Sequence, residues 1–139
     1  MKSIEKISII GGSGFLGTNL SKKLNSLDKS FEIIDINGNI DFKEVTNIAD
    51  VRDYETLKNN ISGDVIINLA AEHRDDVRPI SLYDEVNIDG AINICKLAEL
   101  KEINKIIFTS TVAIYGLSNE PKDENSPIIP FNDYGRTKW

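Results

Sequence analysis

With 139 residues, 40% of them hydrophobic and 27% charged, the chain has the composition of an ordinary globular domain, long enough for one core and not for two. Its net charge of −6 argues against a general nucleic-acid or anionic-membrane surface, and its single cysteine leaves no disulfide framework, which points to a reducing cytoplasm. No apolar run approaches the roughly 20 residues that a spanning helix needs, and no signal peptide is expected ahead of the first apolar run.

That first run, Ile7-Ser8-Ile9-Ile10, enters a cluster of four glycines, Gly11, Gly12, Gly14 and Gly17. It leaves as a helical pattern over about 15–27, with Leu16, Leu20 and Leu24 four residues apart. The order is strand, tight turn, helix. The glycines fit either Gly12-x-Gly14-x-x-Gly17 or Gly11-x-x-Gly14-x-x-Gly17. In such a turn one glycine bends the chain, one lets the backbone approach a diphosphate, and one lets the helix pack on the strand. The first helical amides then point at the anion together with the positive end of the helix dipole.

A second strand, Phe31–Asp35, ends in an acid 18 residues beyond Gly17, close to the spacing of a carboxylate that holds an adenosine ribose. A strand-end Asp capping a turn is the competing reading. No Arg or Lys follows in Ile36, Asn37 or Gly38, and the Asp35 carboxylate would repel a 2′-phosphate, so NAD is expected over NADP. Phe42 to Thr46 reads as a short third strand, and Asp53 as the N-cap of a helix reaching about Asn60. Val65 to Ala70 is apolar on both faces, as a central parallel strand requires.

Ser81 to Lys101 is the longest helical pattern. Leu82, Val86, Ala91, Ile92, Cys95 and Ala98 form its apolar stripe, with Ile88, Ile94 and Leu97 extending beyond it, and Cys95 is expected in the core. Lys105 to Thr109 is strand five, and 117–133 reads as a long loop. Strands alternating with helices predict an α/β doubly wound parallel sheet of order 3-2-1-4-5 filling residues 1–139, with ligands beyond the carboxyl ends of the strands. Near the end stands Tyr134-x-x-x-Lys138, a spacing that puts a phenol and an ammonium on one helix face. A positive charge there is expected to lower the phenol pKa toward neutrality and make it a general base or acid. His73, Arg74, Asp75 and Asp76 are too contiguous to converge on a metal ion, so no metal site is expected, and they read as a loop beside the substrate.

Together these stretches resemble the extended short-chain dehydrogenase/reductases, specifically the NAD-dependent epimerase/dehydratase family that acts on nucleotide sugars. The matching segments are Ile10 to Gly17, Asp50-Val-Arg-Asp53, Asn68-Leu-Ala-Ala71, Asn87-Ile-Asp-Gly90 with Asn93, Ser110 to Gly116, and Tyr134 to Lys138. The resemblance implies a Rossmann-type fold and NAD as cofactor, held by Gly11, Gly14, Phe15, Leu16, Gly17, Asp35, Leu69 and Asn87. It further implies that Asp50 accepts from the adenine amino group, with the Val51 backbone on the ring, and that Ala70 and Ala71 line the diphosphate and nicotinamide ribose. By the same resemblance Thr111 bonds the reacting sugar hydroxyl, Tyr134 exchanges its proton, and Lys138 holds the ribose.

The sequence departs from the family in two places. Dehydratases and decarboxylases of the family resemble Ser-Thr-(Asp/Ser)-Glu ahead of Tyr-Gly, where this chain has Val112 and Ala113, neither able to transfer a proton. Epimerisation is therefore expected, with an NAD-linked sugar reductase or dehydrogenase, or a non-catalytic NAD-binding module, as alternatives. The family also continues past Tyr-x-x-x-Lys into a C-terminal domain that binds the nucleotide sugar, so the chain looks like an N-terminal part limited to NAD binding. Self-association as a homodimer through the helix over 81–101, a disordered 117–139 tail and no turnover are the corresponding expectations.

Overall fold

The computed structural model describes residues 6–139. Five parallel strands form one sheet in the order β3-β2-β1-β4-β5: β1 (Ile7–Ile10), β2 (Phe31–Asp35), β3 (Thr46–Ile48), β4 (Val65–Asn68) and β5 (Ile106–Phe108). The predicted fold and strand order are those observed. Strand β1 lies at the centre, and its successive side chains feed opposite layers. Ile9 packs with Phe31 and Ile33 beneath Leu20 and Leu24 of α1 (Phe15–Ser26). Ile10 packs with Ile34 and Ile66 beneath Leu57 of α2 (Tyr54–Asn60) and Ile94, Leu97 and Ala98 of α4 (Gly90–Leu100). Helix α2 begins where expected, with the Asp53 side chain accepting from Thr56 N at 3.0 Å.

The third strand is displaced. Residues Lys43–Val45, expected within it, form a 3-10 turn instead, and pairing with β2 begins only at Thr46. Two local contacts outweigh strand propensity there. Phe42 packs edge-on against Phe31 with ring centroids 5.4 Å apart, and Thr46 Oγ1 donates to the Phe42 carbonyl at 2.6 Å, closing the turn.

The long helix also departs from the sequence reading. It starts as α3 (Ser81–Tyr83), widens into a π-helical segment (Asp84–Asp89) and continues as α4. Its buried positions are Tyr83, Asn87, Gly90, Ile94, Leu97 and Ala98, with Leu82 and Val86 half-buried beside them. Ile94 and Leu97, expected beyond the stripe, are fully buried, while Ile92 and Cys95, expected within it, are exposed. Cys95 is not a core residue.

Candidate functional site

The carboxyl ends of all five strands open into one cleft of about 730 Å³. Its floor is the glycine turn. Gly11 has φ +76°, and a Cβ there would sit 2.6 Å from Ala70 N, so the turn can lie against the end of β4 only as glycine. A Cβ on Gly17 would sit 2.4 Å from Gly12 Cα, which makes Gly17 the residue that lets α1 close on the turn. Around Gly14 the nearest such contact is 3.5 Å, leaving its exposed backbone open to the cleft. This division of tasks matches the Gly11-x-x-Gly14-x-x-Gly17 spacing.

Asp35, at the end of β2, lines the cleft. Its Oδ2 accepts from Ser13 N at 3.0 Å and its Oδ1 from Asn37 N at 2.9 Å, so the carboxylate faces the turn already oriented. Asp50 and Val51 line the cleft beyond β3. The Asp50 carboxylate is engaged by Arg52 through Nε at 3.0 Å and NH2 at 2.6 Å, and those bonds hold its pKa below the usual carboxylate value. Asn93 Nδ2 donates to the Val51 carbonyl at 3.0 Å and pins this loop to α4. Phe15, Leu16, Leu69, Ala70 and Ala71 complete the wall on the glycine side.

Tyr134 and Lys138 line the opposite wall from α5 (Asp133–Thr137) and its C-cap. A five-residue helix cannot hold itself, and tertiary contacts hold this one. Asn132 caps it at Gly135 N (2.8 Å), Arg136 grips both Asp84 carboxylate oxygens at 2.8 Å, and Ser110 Oγ donates to the Lys138 carbonyl at 3.0 Å. Asn87 adds a brace. Its Nδ2 donates to Thr137 Oγ1 at 2.8 Å and to the Glu72 carbonyl at 2.9 Å, while its Oδ1 accepts from Glu72 N at 2.8 Å.

The Lys138 ammonium is buried, has no hydrogen-bond partner among the described residues, and lies 4.0 Å from the Phe108 ring centroid. Burial lowers its pKa from 10.5 to about 8. A buried ammonium facing an aromatic ring, with its donors unused, has hydrogen bonds to offer an acceptor in the cleft.

Two residues that the resemblance placed on ligands stand apart from the cleft. Asn87 is buried behind it, with its amide fully engaged in the brace. Thr111 lies beyond Ser110, its Oγ1 accepting from Ala113 N at 3.2 Å as the cap of the 3-10 helix Val112–Tyr115. The cleft is lined instead by Thr109 and Ser110 on that side, and by Ser13, Arg52, Glu72 and His73, which the sequence reading had not assigned to the cofactor. Among the described residues, no group of three or more His, Cys, Asp or Glu side chains is placed to hold a metal ion.

A profile of the NAD dependent epimerase/dehydratase family matches residues 7–139. The chain belongs to that family. NAD is the family's cofactor. The chain is 43% identical over 136 residues to the N-acetyl-alpha-D-glucosaminyl-diphospho-ditrans,octacis-undecaprenol 4-epimerase of Escherichia coli O157:H7, covering 97% of this chain and 41% of that protein. It is 32% identical to a putative UDP-glucose 4-epimerase of Methanocaldococcus jannaschii, covering 96% of this chain and 47% of that one. The crystal structure of UDP-glucose 4-epimerase from Brucella ovis in complex with NAD superposes with a TM-score of 0.85 at 25% identity, over 96% of this chain and 44% of that one. This family member thus spans less than half the length of these relatives. No helix among the described residues is long and apolar enough to cross a membrane.

Proposed function

We propose that this chain supplies the NAD-binding part of a 4-epimerase whose sugar substrate is carried on a diphosphate. The observation that carries the reading is the buried, unpartnered Lys138 ammonium on the wall facing the glycine turn, a donor that vicinal ribose hydroxyls would satisfy. The relatives named above support the choice of reaction: each is called a 4-epimerase, on a sugar linked through a diphosphate or on UDP-glucose.

In this reading, the backbone about Gly14 and the first amides of α1 receive the diphosphate of the dinucleotide, and Asp35 takes the adenosine ribose hydroxyls. Asp50 and Val51 border the adenine, with Ala70 and Ala71 along the diphosphate and nicotinamide ribose. When bound, NAD supplies a reversible hydride acceptor for the sugar carbon. Tyr134 exchanges the proton of the reacting hydroxyl, and Lys138 holds the ribose and keeps positive charge beside that exchange. Val112 and Ala113 carry no proton-transfer group, which disfavours elimination of water. A net sugar dehydrogenase would use the same residues and would differ in releasing reduced cofactor.

In this reading the chain binds NAD in a cytoplasmic setting and associates as a homodimer. The face for that association is the exposed Ile92 and Cys95 with Ile88 and Trp139 near them, bordering a shallow apolar hollow against Phe108. Isothermal calorimetry with NAD and NADP, alongside light scattering, tests the reading. NAD binding with NADP weaker by tenfold or more is the expected result. Tighter NADP binding, or no binding of either, would refute it.

A further inference from the structure

The loop between β2 and β3 contributes a buried side chain that the motif spacing does not single out. Asn39 Nδ2 donates to the Gly12 carbonyl at 3.3 Å and to Thr18 Oγ1 at 2.9 Å, and its Oδ1 accepts from Asp41 N at 3.0 Å. Only this orientation of the amide satisfies all three contacts, because two of the partners are acceptors and one is a donor. One atom pair away, Ser13 N donates to Asp35 Oδ2 at 3.0 Å.

A trans peptide is planar, with its carbonyl and N–H pointing in opposite directions. The Gly12–Ser13 peptide is therefore held at both ends, its oxygen by Asn39 and its N–H by Asp35. Both holders come from the segment that ends β2. We propose that Asn39 is a positioning residue for the dinucleotide site: it fixes the orientation of the Gly12–Ser13 peptide and so presets the glycine turn for a diphosphate.

The inference rests on the reading of the cleft as an NAD site. Glycine peptides rotate more freely than any others, and a flip of this one would turn the Gly12 oxygen toward the Asp35 carboxylate that the Ser13 amide now meets. It would also withdraw the Ser13 amide from Asp35. Holding the peptide before binding removes an ordering cost that the ligand would otherwise bear. The side chain must be an amide, because an isosteric carboxylate would present an oxygen to the Gly12 carbonyl, which can only accept.

The test is Asn39→Asp, with Asn39→Ala as a second variant should the first fail to fold, each read by amide hydrogen exchange of the ligand-free chain and by NAD calorimetry. In a variant that melts cooperatively, the Ser13 amide should exchange about 3- to 10-fold faster and NAD should bind about 3- to 10-fold more weakly, the scale of one net hydrogen bond. Unchanged Ser13 exchange, or faster exchange with unchanged NAD affinity, overturns the proposal. If the unmodified chain fails to bind NAD, the dinucleotide reading falls, while exchange at Ser13, measured without ligand, still decides whether Asn39 holds the peptide.

Discussion

Replacing Lys138 by Met should stabilise the ligand-free protein while weakening its hold on NAD. The ammonium is buried without a hydrogen-bond partner among the described residues, and its pKa is depressed from 10.5 to about 8 by desolvation. That displacement corresponds to about 3 kcal/mol against the charged form in the folded state. The Phe108 ring, 4.0 Å from the nitrogen, returns about 1–2 kcal/mol through cation–π attraction. Methionine keeps the volume and removes the charge, so the net gain at pH 7 is about 1–2 kcal/mol.

The pH dependence follows from the direction of the shift. Below pH 8 both folded and unfolded chains carry the proton, and the folded state bears the full cost. Between pH 8 and 10.5 the folded chain sheds the proton while the unfolded chain keeps it, so stability of the unmodified protein rises relative to Lys138→Met. Urea denaturation of both proteins at pH 7 and pH 10 measures the gap, which should narrow at the higher pH. Added NAD should then raise the midpoint of the unmodified protein by more than that of the variant. A variant less stable than the parent at pH 7, or a gap that stays constant with pH, would refute the assignment of Lys138 as an unpaired charge awaiting a ligand.

Asp35→Ala should weaken NAD binding by about 1–3 kcal/mol, the scale of a charge-assisted hydrogen bond, and should erode the preference over NADP; calorimetry with both dinucleotides reads each effect. Gly17→Ala would put a Cβ 2.4 Å from Gly12 Cα. It should cost about 1–3 kcal/mol in thermal unfolding and abolish measurable NAD binding by pushing α1 off the turn. At the opposite end of the sheet, burial pushes the Glu32 pKa up, but bonds from Lys6, Ser8 and Ser62 outweigh it and leave the value below 4.5. Its contribution to stability is therefore present above pH 4.5 and lost as pH falls through the depressed value, and Glu32→Ala should cost about 2–3 kcal/mol at pH 7 and show a flatter acid limb in urea titrations.

The strand order and the glycine turn at the end of β1 were legible in the sequence because local signals set them. Alternating strand and helix patterns admit few topologies, and Gly11, Gly17 and Asp35 occupy positions where backbone geometry and charge leave little choice of residue. Residues whose neighbours lie far along the chain were not legible in this way. Ile94 and Leu97 face inward and Cys95 outward because the helix packs on Ile10, Ile34, Ile66 and Leu57, partners that lie far away in the sequence. Phe42, expected in the third strand, lies ahead of the Lys43–Val45 turn and packs edge-on against Phe31 of β2, a partner that the local pattern does not reveal. Asn39 and Asn87 look like loop and helix polar residues in the sequence, and only the fold brings Gly12 to one and Thr137 to the other. The spacing of Tyr134 and Lys138 told which residues share a helix face. Burial against Phe108, which leaves the ammonium without a partner, depends on packing that no local pattern encodes.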